Sequence, residues 1–323
     1  MALLRRRFLG LVASAAALRA LPMVARAADY PTRPMHLVVG FPPGSGPDII
    51  ARLTAHWLST RLGREVVVDN RAGAASNIGT EIAAKAAPDG YTLLLAVSAN
   101  AINATLYEHL NFDFAHDLVG VGTIALTPFV IAVNPAFEAK TLGELIALAK
   151  AKPGTINMAT SGVGGGSHVS GELFQMMTGI KLVHVPYRNN YVPDLLGGQI
   201  MLAVAPLPQV IEFVKADKLR ALGVTTATRS PMLPNVPAIG EVVPGYDASG
   251  WFGICAPRNT PAEIIARLNT EISAGVADAD MRNHLLAVGA EPRAMSPAEF
   301  NTFIADEIEK WRKVIAFASI KPL

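Results

Sequence analysis

Two glycine-rich segments carry the residue types best suited to holding an anion. The first is Phe41-Pro42-Pro43-Gly44-Ser45-Gly46-Pro47-Asp48, and the second is Thr160-Ser161-Gly162-Val163-Gly164-Gly165-Gly166-Ser167-His168. Glycine lets a backbone come close to a ligand, and the hydroxyls supply donors without adding charge. If each segment opens a helix, its unpaired N–H groups and the positive end of the helix dipole suit a carboxylate or a phosphate. The first is not a nucleotide-binding P-loop, since no Lys-Ser/Thr follows its glycines, and it is not G-x-G-x-x-G. Both also have plain readings. Pro47 is what a first helical turn selects, Ser167 is a candidate N-cap, and Asp48 complements a helix dipole.

Other polar residues fall near the same positions. Asn77 reads as a helix cap or a ligand contact, and Ser98, Asn100 and Asn103 follow an apolar run and reach the crevice or close a loop. Tyr187 and Arg188 end another apolar run, where they could close the site from the second lobe, although a plain exposed arginine is the commoner reading of Arg188. An arginine there can pair a carboxylate bidentately.

Catalytic patterns are sparse. The histidines at 36, 56, 109, 116, 168, 184 and 284 have no H-x-x-x-H or H-E-x-x-H spacing, and no G-x-S-x-G occurs. A secreted serine hydrolase built from Ser161 or Ser167 with His168 is the alternative reading. Ser167 and His168 are adjacent, however, and at a helix start they point about 100° apart, which is poor triad geometry. Cys255 is the sole cysteine, which excludes an internal disulfide and cysteine-based metal sites. The expectation is a non-enzymatic protein with no cofactor and no metal.

The elements that would position these residues alternate. Apolar runs at 36–41, 66–68 and 91–97 read as strands, separated by helical spacing at 48–62 and an alanine-rich stretch at 78–87. The pattern restarts with strands at 129–133, 155–159, 182–185, 199–204 and 219–224 and helices at 141–151 and 167–178. Pro231, Pro234, Pro237 and Pro244 mark a long loop, followed by a strand at 250–256 and helices near 261–277, 280–288 and 297–317. Strands joined through helices imply parallel sheets, with both glycine-rich loops at carboxyl ends, where α/β folds form ligand crevices. The expected fold is α/β with two lobes, each a mostly parallel sheet flanked by helices. Residues 28–128 plus 250–323 form one lobe and 129–249 the other.

The chain has 323 residues, 51% hydrophobic, enough for two domains with real cores. Mean hydropathy is +0.33, yet no run of about 18 apolar residues occurs, which argues against a membrane span. Residues 1–27 contain Arg5, Arg6, Arg7, Arg19 and Arg26 and no acid, with an apolar stretch and Ala25-Arg26-Ala27 before a cleavage point. This reads as an export signal, of twin-arginine or general secretory type, cleaved after Ala27. Removing those five arginines takes the net charge from +2 to −3, so the exported chain has no nucleic-acid footprint.

Beyond the two loops, a series of stretches carries a resemblance. They include VVVDNRAGAASNIG at 66–79, AAPDGYTLL at 86–94, NAINATLY at 100–107, SGVGGGSHVSGELF at 161–174, DLLGGQ at 194–199 and RSPMLPNVPAIGE at 229–241. With these the chain resembles the Bug/TctC family of periplasmic solute-binding proteins of tripartite tricarboxylate transporters. The resemblance implies a Venus-flytrap receptor that closes on a small carboxylate and delivers it to transporter membrane components or, alternatively, serves a sensor. It implies a periplasmic location and is consistent with an expected monomer. It points to Phe41, Pro43, Gly44 and Ser45 in one lobe and to Ser161, Gly162, Val163, Gly164 and Ser167 in the other. Asp48 and Asn77 also match the family's pattern near the cleft. The segment from Arg188 to Pro193 is shorter and bulkier than the family's, and Val204 and Ala205 replace an aromatic and an acid. Those departures imply a more apolar distal wall with an extra aromatic, Tyr191.

Overall fold

The computed structural model describes residues 30–187 and 189–322. The expected export signal, residues 1–27, lies outside the described residues, as does Arg188.

The first half alternates as the apolar spacing predicts. Strand β1 (Met35–Val39), helix α1 (Gly46–Leu62), strand β2 (Val66–Asn70), helix α2 (Asn77–Ala84) and strand β3 (Thr92–Val97) place β2 and β3 on either side of β1, both parallel to it. Helices α3 (Ser98–Leu106) and α4 (Phe114–Asp117) then lead into β4 (Leu118–Thr127). Only Pro128 separates β4 from β5 (Phe129–Val133), yet β4 belongs to the first sheet and β5 to the second.

The second sheet is completed by α5 (Leu142–Ala151), β6 (Asn157–Thr160), α6 (Gly166–Thr178), β7 (Val183–Pro186), α7 (Val192–Leu196), β8 (Leu202–Pro206), α8 (Leu207–Lys215) and β9 (Arg220–Val224). After the proline-punctuated loop, β10 (Gly250–Pro257) returns to the first sheet. It is followed by α9 (Ala262–Ala277), α10 (Ala279–Ala287), the short β11 (Glu291–Pro292) and α11 (Pro297–Ala318).

Strand order is β11-β4-β10-β3-β1-β2 in one sheet and β7-β6-β8-β5-β9 in the other. Both sheets are mixed rather than mostly parallel. The strands that cross between sheets enter against the grain. In the first sheet β10 runs antiparallel to β3 and β4, and in the second β5 runs antiparallel to β8 and β9. The parallel sets β2-β1-β3 and β7-β6-β8 remain intact and carry the two glycine-rich loops.

Strand β4 does not stand out in the sequence, because Gly120 and Gly122 interrupt its apolar run. Both are dictated by packing: a Cβ at Gly120 would lie 2.7 Å from the Phe300 ring, and one at Gly122 2.6 Å from Asn269 Nδ2. One apolar cluster runs through both layers, from Val38 and Leu94 to Leu173, Val204 and Trp251. Helix α11 closes it, packing on α3 and β4 as well as on α6, and its buried Glu307 accepts the indole N–H groups of both Trp251 and Trp311. Among the described residues no helix is long and apolar enough to cross a membrane.

Candidate functional site

The first glycine-rich loop joins the carboxyl end of β1 to α1. Ser45 caps the helix with φ −74° and ψ 162°, and its hydroxyl accepts from the Asp48 N–H. Asp48 is buried and ties the loop together. Its Oδ2 accepts from Gly44 N–H at 2.8 Å and Arg52 Nε at 2.9 Å, and its Oδ1 from Asn70 Nδ2 at 2.9 Å. The Arg52 bond, with help from Gly44 and Asn70, holds this carboxyl down at about 2. Both oxygens of Asp48 are therefore engaged within the loop. Phe41 is half-buried and its carbonyl is also held by Asn70 Nδ2, at 3.0 Å, while Pro43 and Gly44 are exposed.

The second loop joins β6 to α6 and repeats this construction. Gly165 caps α6 with φ −69° and ψ 161°, near the values at Ser45. Gly164 at φ +73° matches Gly44 at φ +80°. Its N–H donates to His168 Nδ1 at 3.0 Å, four residues on, as Gly44 donates to Asp48. Ser167 sits inside α6 rather than capping it, and its hydroxyl accepts from Ser161 N–H at 2.9 Å. The loop's remaining glycine with positive φ is Gly162 at +112°, half-buried like Val163, whereas Ser161 is exposed. In α6 the N–H groups of Gly166, Ser167 and His168 have no intrahelical acceptor and are donors a carboxylate or phosphate would meet; in α1 Pro47 has no N–H and Ser45 takes that of Asp48, which leaves Gly46.

The histidine in this loop is already committed. Its Nδ1 is used by Gly164, and its Nε2 lies 3.6 Å from Glu172 Oε1, while its ring stacks on His184 at 3.6 Å. Both ring nitrogens thus face groups other than Ser161 and Ser167, and the Ser167 hydroxyl is itself bonded to Ser161 N–H.

Three further segments border the first loop. Ala74, Ala75 and Ser76 have φ of 47°, 51° and 81°, three successive left-handed residues without a glycine among them. They are held from α3 and α2: Asn103 Nδ2 donates to the Ala75 carbonyl at 2.7 Å, and Thr80 Oγ1 to the Ser76 carbonyl at 2.8 Å. Asn77, read as a cap or contact, begins α2 and its Oδ1 accepts from Asn103 at 2.9 Å. Asn100 bonds Val97 N–H and Thr80 and so serves the fold, while Ser98 stays half-buried at the start of α3, at the carboxyl end of β3. The far end of α3 meets the second loop, since a Cβ at Gly164 would lie 2.7 Å from Leu106 Cδ2.

Tyr187 follows β7. Its hydroxyl donates to Asp194 at 2.8 Å and its ring meets that of Tyr191 edge-on, with centroids 5.7 Å apart. Together with Ser161, Leu196, Gln209 and Phe213 these tyrosines line a cavity of about 640 Å³ beside the second loop. Asn189 and Asn190 complete its polar side. Tyr191 is almost wholly buried and burial pushes its phenol up to about 12, while its hydroxyl reaches Gln209 Oε1 at 3.2 Å. Val204 and Ala205 do not line this cavity; they are buried in β8. Asn70 and Gln209 had no signal of their own in the sequence, because each acts from an element remote in the chain from the residue it touches, whereas Arg52 pairs with Asp48 at the i,i+4 spacing of one helix.

Residues 50–319 match the family described as the tripartite tricarboxylate transporter family receptor. Protein BugT of Bordetella pertussis is 38% identical over 291 residues, covering 88% of this chain and 89% of its own. An R. palustris protein solved with adipate is 37% identical with a TM-score of 0.74, covering 91% of this chain and 100% of that one. MatC from Rhodopseudomonas palustris, solved with bound malate, is 26% identical with a TM-score of 0.70, covering 88% of this chain and 100% of its own. A family match over most of the length, and a curated relative at 38% identity, identify the chain as a member of the tripartite tricarboxylate transporter receptor family.

Proposed function

We propose that this protein captures a small carboxylate in the periplasm, between its two sheets, and presents it to the membrane components of a tripartite tricarboxylate-type transporter. The observation that carries the reading is the matched pair of loops, each at the carboxyl end of a parallel strand and each opening a helix, with N–H donors at Gly46 in one and at Gly166 to His168 in the other. The adipate and malate bound by relatives agree with that chemistry. Backbone dipoles neutralise the ligand, so the negative net charge of the chain without its first 27 residues is no obstacle. Residues 28–128 with 250–323 close as one lobe onto 129–249, after export and removal of residues 1–27.

The ligand is a carboxylate with an aromatic or apolar tail. Tyr187, Tyr191, Leu196 and Phe213 give the cavity beside the second loop its apolar surface, and its amides satisfy at most a few polar atoms. Thermal-shift measurements with benzoate, 3-phenylpropionate, adipate and citrate test this. The aryl acids are expected to raise the midpoint most, and stabilisation by citrate without the aryl acids overturns the assignment of the tail.

A further inference from the structure

The two loops share a backbone and differ in the group that holds it. In the first, Gly44 N–H is fixed by the Asp48 carboxylate, which is paired to Arg52. In the second, Gly164 N–H is fixed by an imidazole nitrogen, His168 Nδ1. A nitrogen that accepts a hydrogen bond carries no proton, so the His168 ring is neutral with its hydrogen on Nε2. Imidazole is the side chain whose charge changes between about pH 5 and 8, whereas an ion-paired carboxylate stays charged throughout.

We infer that His168 is the positioning residue of the second loop and that its protonation unfastens that loop alone, making ligand release acid-dependent from one lobe. The inference rests on the binding role proposed above for the loop. A proton on Nδ1 would place two donors face to face where Gly164 N–H and the ring now share a hydrogen bond of 3.0 Å. The loop then loses the bond that fixes its left-handed glycine, and its N–H groups no longer converge on the ligand.

The surroundings favour this assignment. Two titratable groups face the ring, Glu172 on its own helix and His184 on β7. Glu172 Oε1 lies 3.6 Å from Nε2, beyond hydrogen-bond length. Burial and the neighbouring His168 push His184 down to about 4, so it stays neutral over the range concerned, with Nε2 against the Thr160 hydroxyl at 2.6 Å. From α3 the loop meets apolar Leu106, and Glu307 and Lys310 of α11, which packs on α6, are paired with each other.

The test needs no knowledge of the ligand. In the 15N-labelled protein, the Gly164 amide proton is expected to move upfield from pH 8 to 5, with the midpoint shown by the His168 ring, while Gly44 does not move. His168→Asn retains an acceptor and removes the titration, so the Gly164 response should vanish. A Gly164 amide that ignores His168 titration in the wild type, or still titrates in H168N, overturns the inference. With benzoate as probe, Kd should rise about fivefold from one pH unit above that midpoint to one below it, the part of a tenfold weakening from one lost anchoring hydrogen bond that this range exposes. In H168N the ratio over the same range should stay within twofold. Tighter binding in acid overturns the sign of the effect. No benzoate binding at any pH counts against the tail chemistry proposed above, and the amide titration still decides the role of His168.

Discussion

Asp48 shows how a residue chosen for one reason serves another. Its place in a first helical turn suits the dipole, but its two oxygens also collect Gly44, Arg52 and Asn70 and thereby shape the loop. Asp48→Ala leaves the Gly44 N–H and the Asn70 amide without their acceptor and removes the partner of Arg52. A loss of about 2–3 kcal/mol is expected in urea denaturation at pH 7, the size typical of losing charge-assisted bonds at a buried site. The pH dependence has a definite sign. The carboxyl titrates at about 2 in the folded protein and near 3.9 when unfolded, so its contribution is complete above about pH 5. The stability gap between wild type and D48A should therefore be constant from pH 5 to 8 and shrink as pH falls through 4 towards 2. A gap that persists unchanged at pH 2.5 would count against the Arg52–Asp48 pairing as its source.

At the scale of elements, glycines with similar φ are not equivalent. Gly44 at φ +80° has open space where a Cβ would point, so Gly44→Ala should lose only the left-handed penalty of about 1–2 kcal/mol. Gly164 at φ +73° has Leu106 Cδ2 2.7 Å away, so Gly164→Ala adds a collision between the second loop and α3. G164A is expected to cost about 1 kcal/mol more than G44A, and a double-mutant cycle with Leu106→Ala should recover that excess as a favourable coupling. The same distinction explains which elements were legible in the sequence. Helices α1 and α6 announce themselves through local glycine, serine and proline signals, which makes the two loops legible. The capping role given to Ser167 moved to Gly165, because the Ser167 hydroxyl reaches back to Ser161 instead. Strand β4 was invisible because its glycines answer to Phe300 and Asn269, more than a hundred residues away. The left-handed run Ala74–Ser76 had no glycine signature, since Asn103 and Thr80 hold it from neighbouring helices. The mixed direction of both sheets depends on where β5 and β10 cross between layers, which no local period records.

For the whole molecule, the closure proposed above brings the two sheets and their helices together, and among the contacts across the layers besides the crossing strands one sits at the start of α8. At the start of α8, Pro208 lies against Gly289, which follows α10 of the other sheet; a Cβ there would lie 2.0 Å from Pro208 Cγ. Beside it, the buried Ser230 donates its hydroxyl to Glu291 on β11, again joining the two layers. Pro208 follows the carboxyl end of β8, which is parallel to β6 and so lies on the side of the second loop. Gly289→Ala forces a methyl group into a rigid proline ring, so the layers must separate there or the backbone must shift. Gly179, with φ +67° and nothing near a Cβ, provides the matched control for the left-handed penalty alone. Small-angle scattering without ligand should give a larger radius of gyration for G289A than for G179A. Ligands that bind by closure should lose about tenfold in affinity only in G289A, about 1.4 kcal/mol withheld from the closed state. Equal radii and equal affinities for the two variants would mean that Pro208 and Gly289 touch without governing how far the molecule closes.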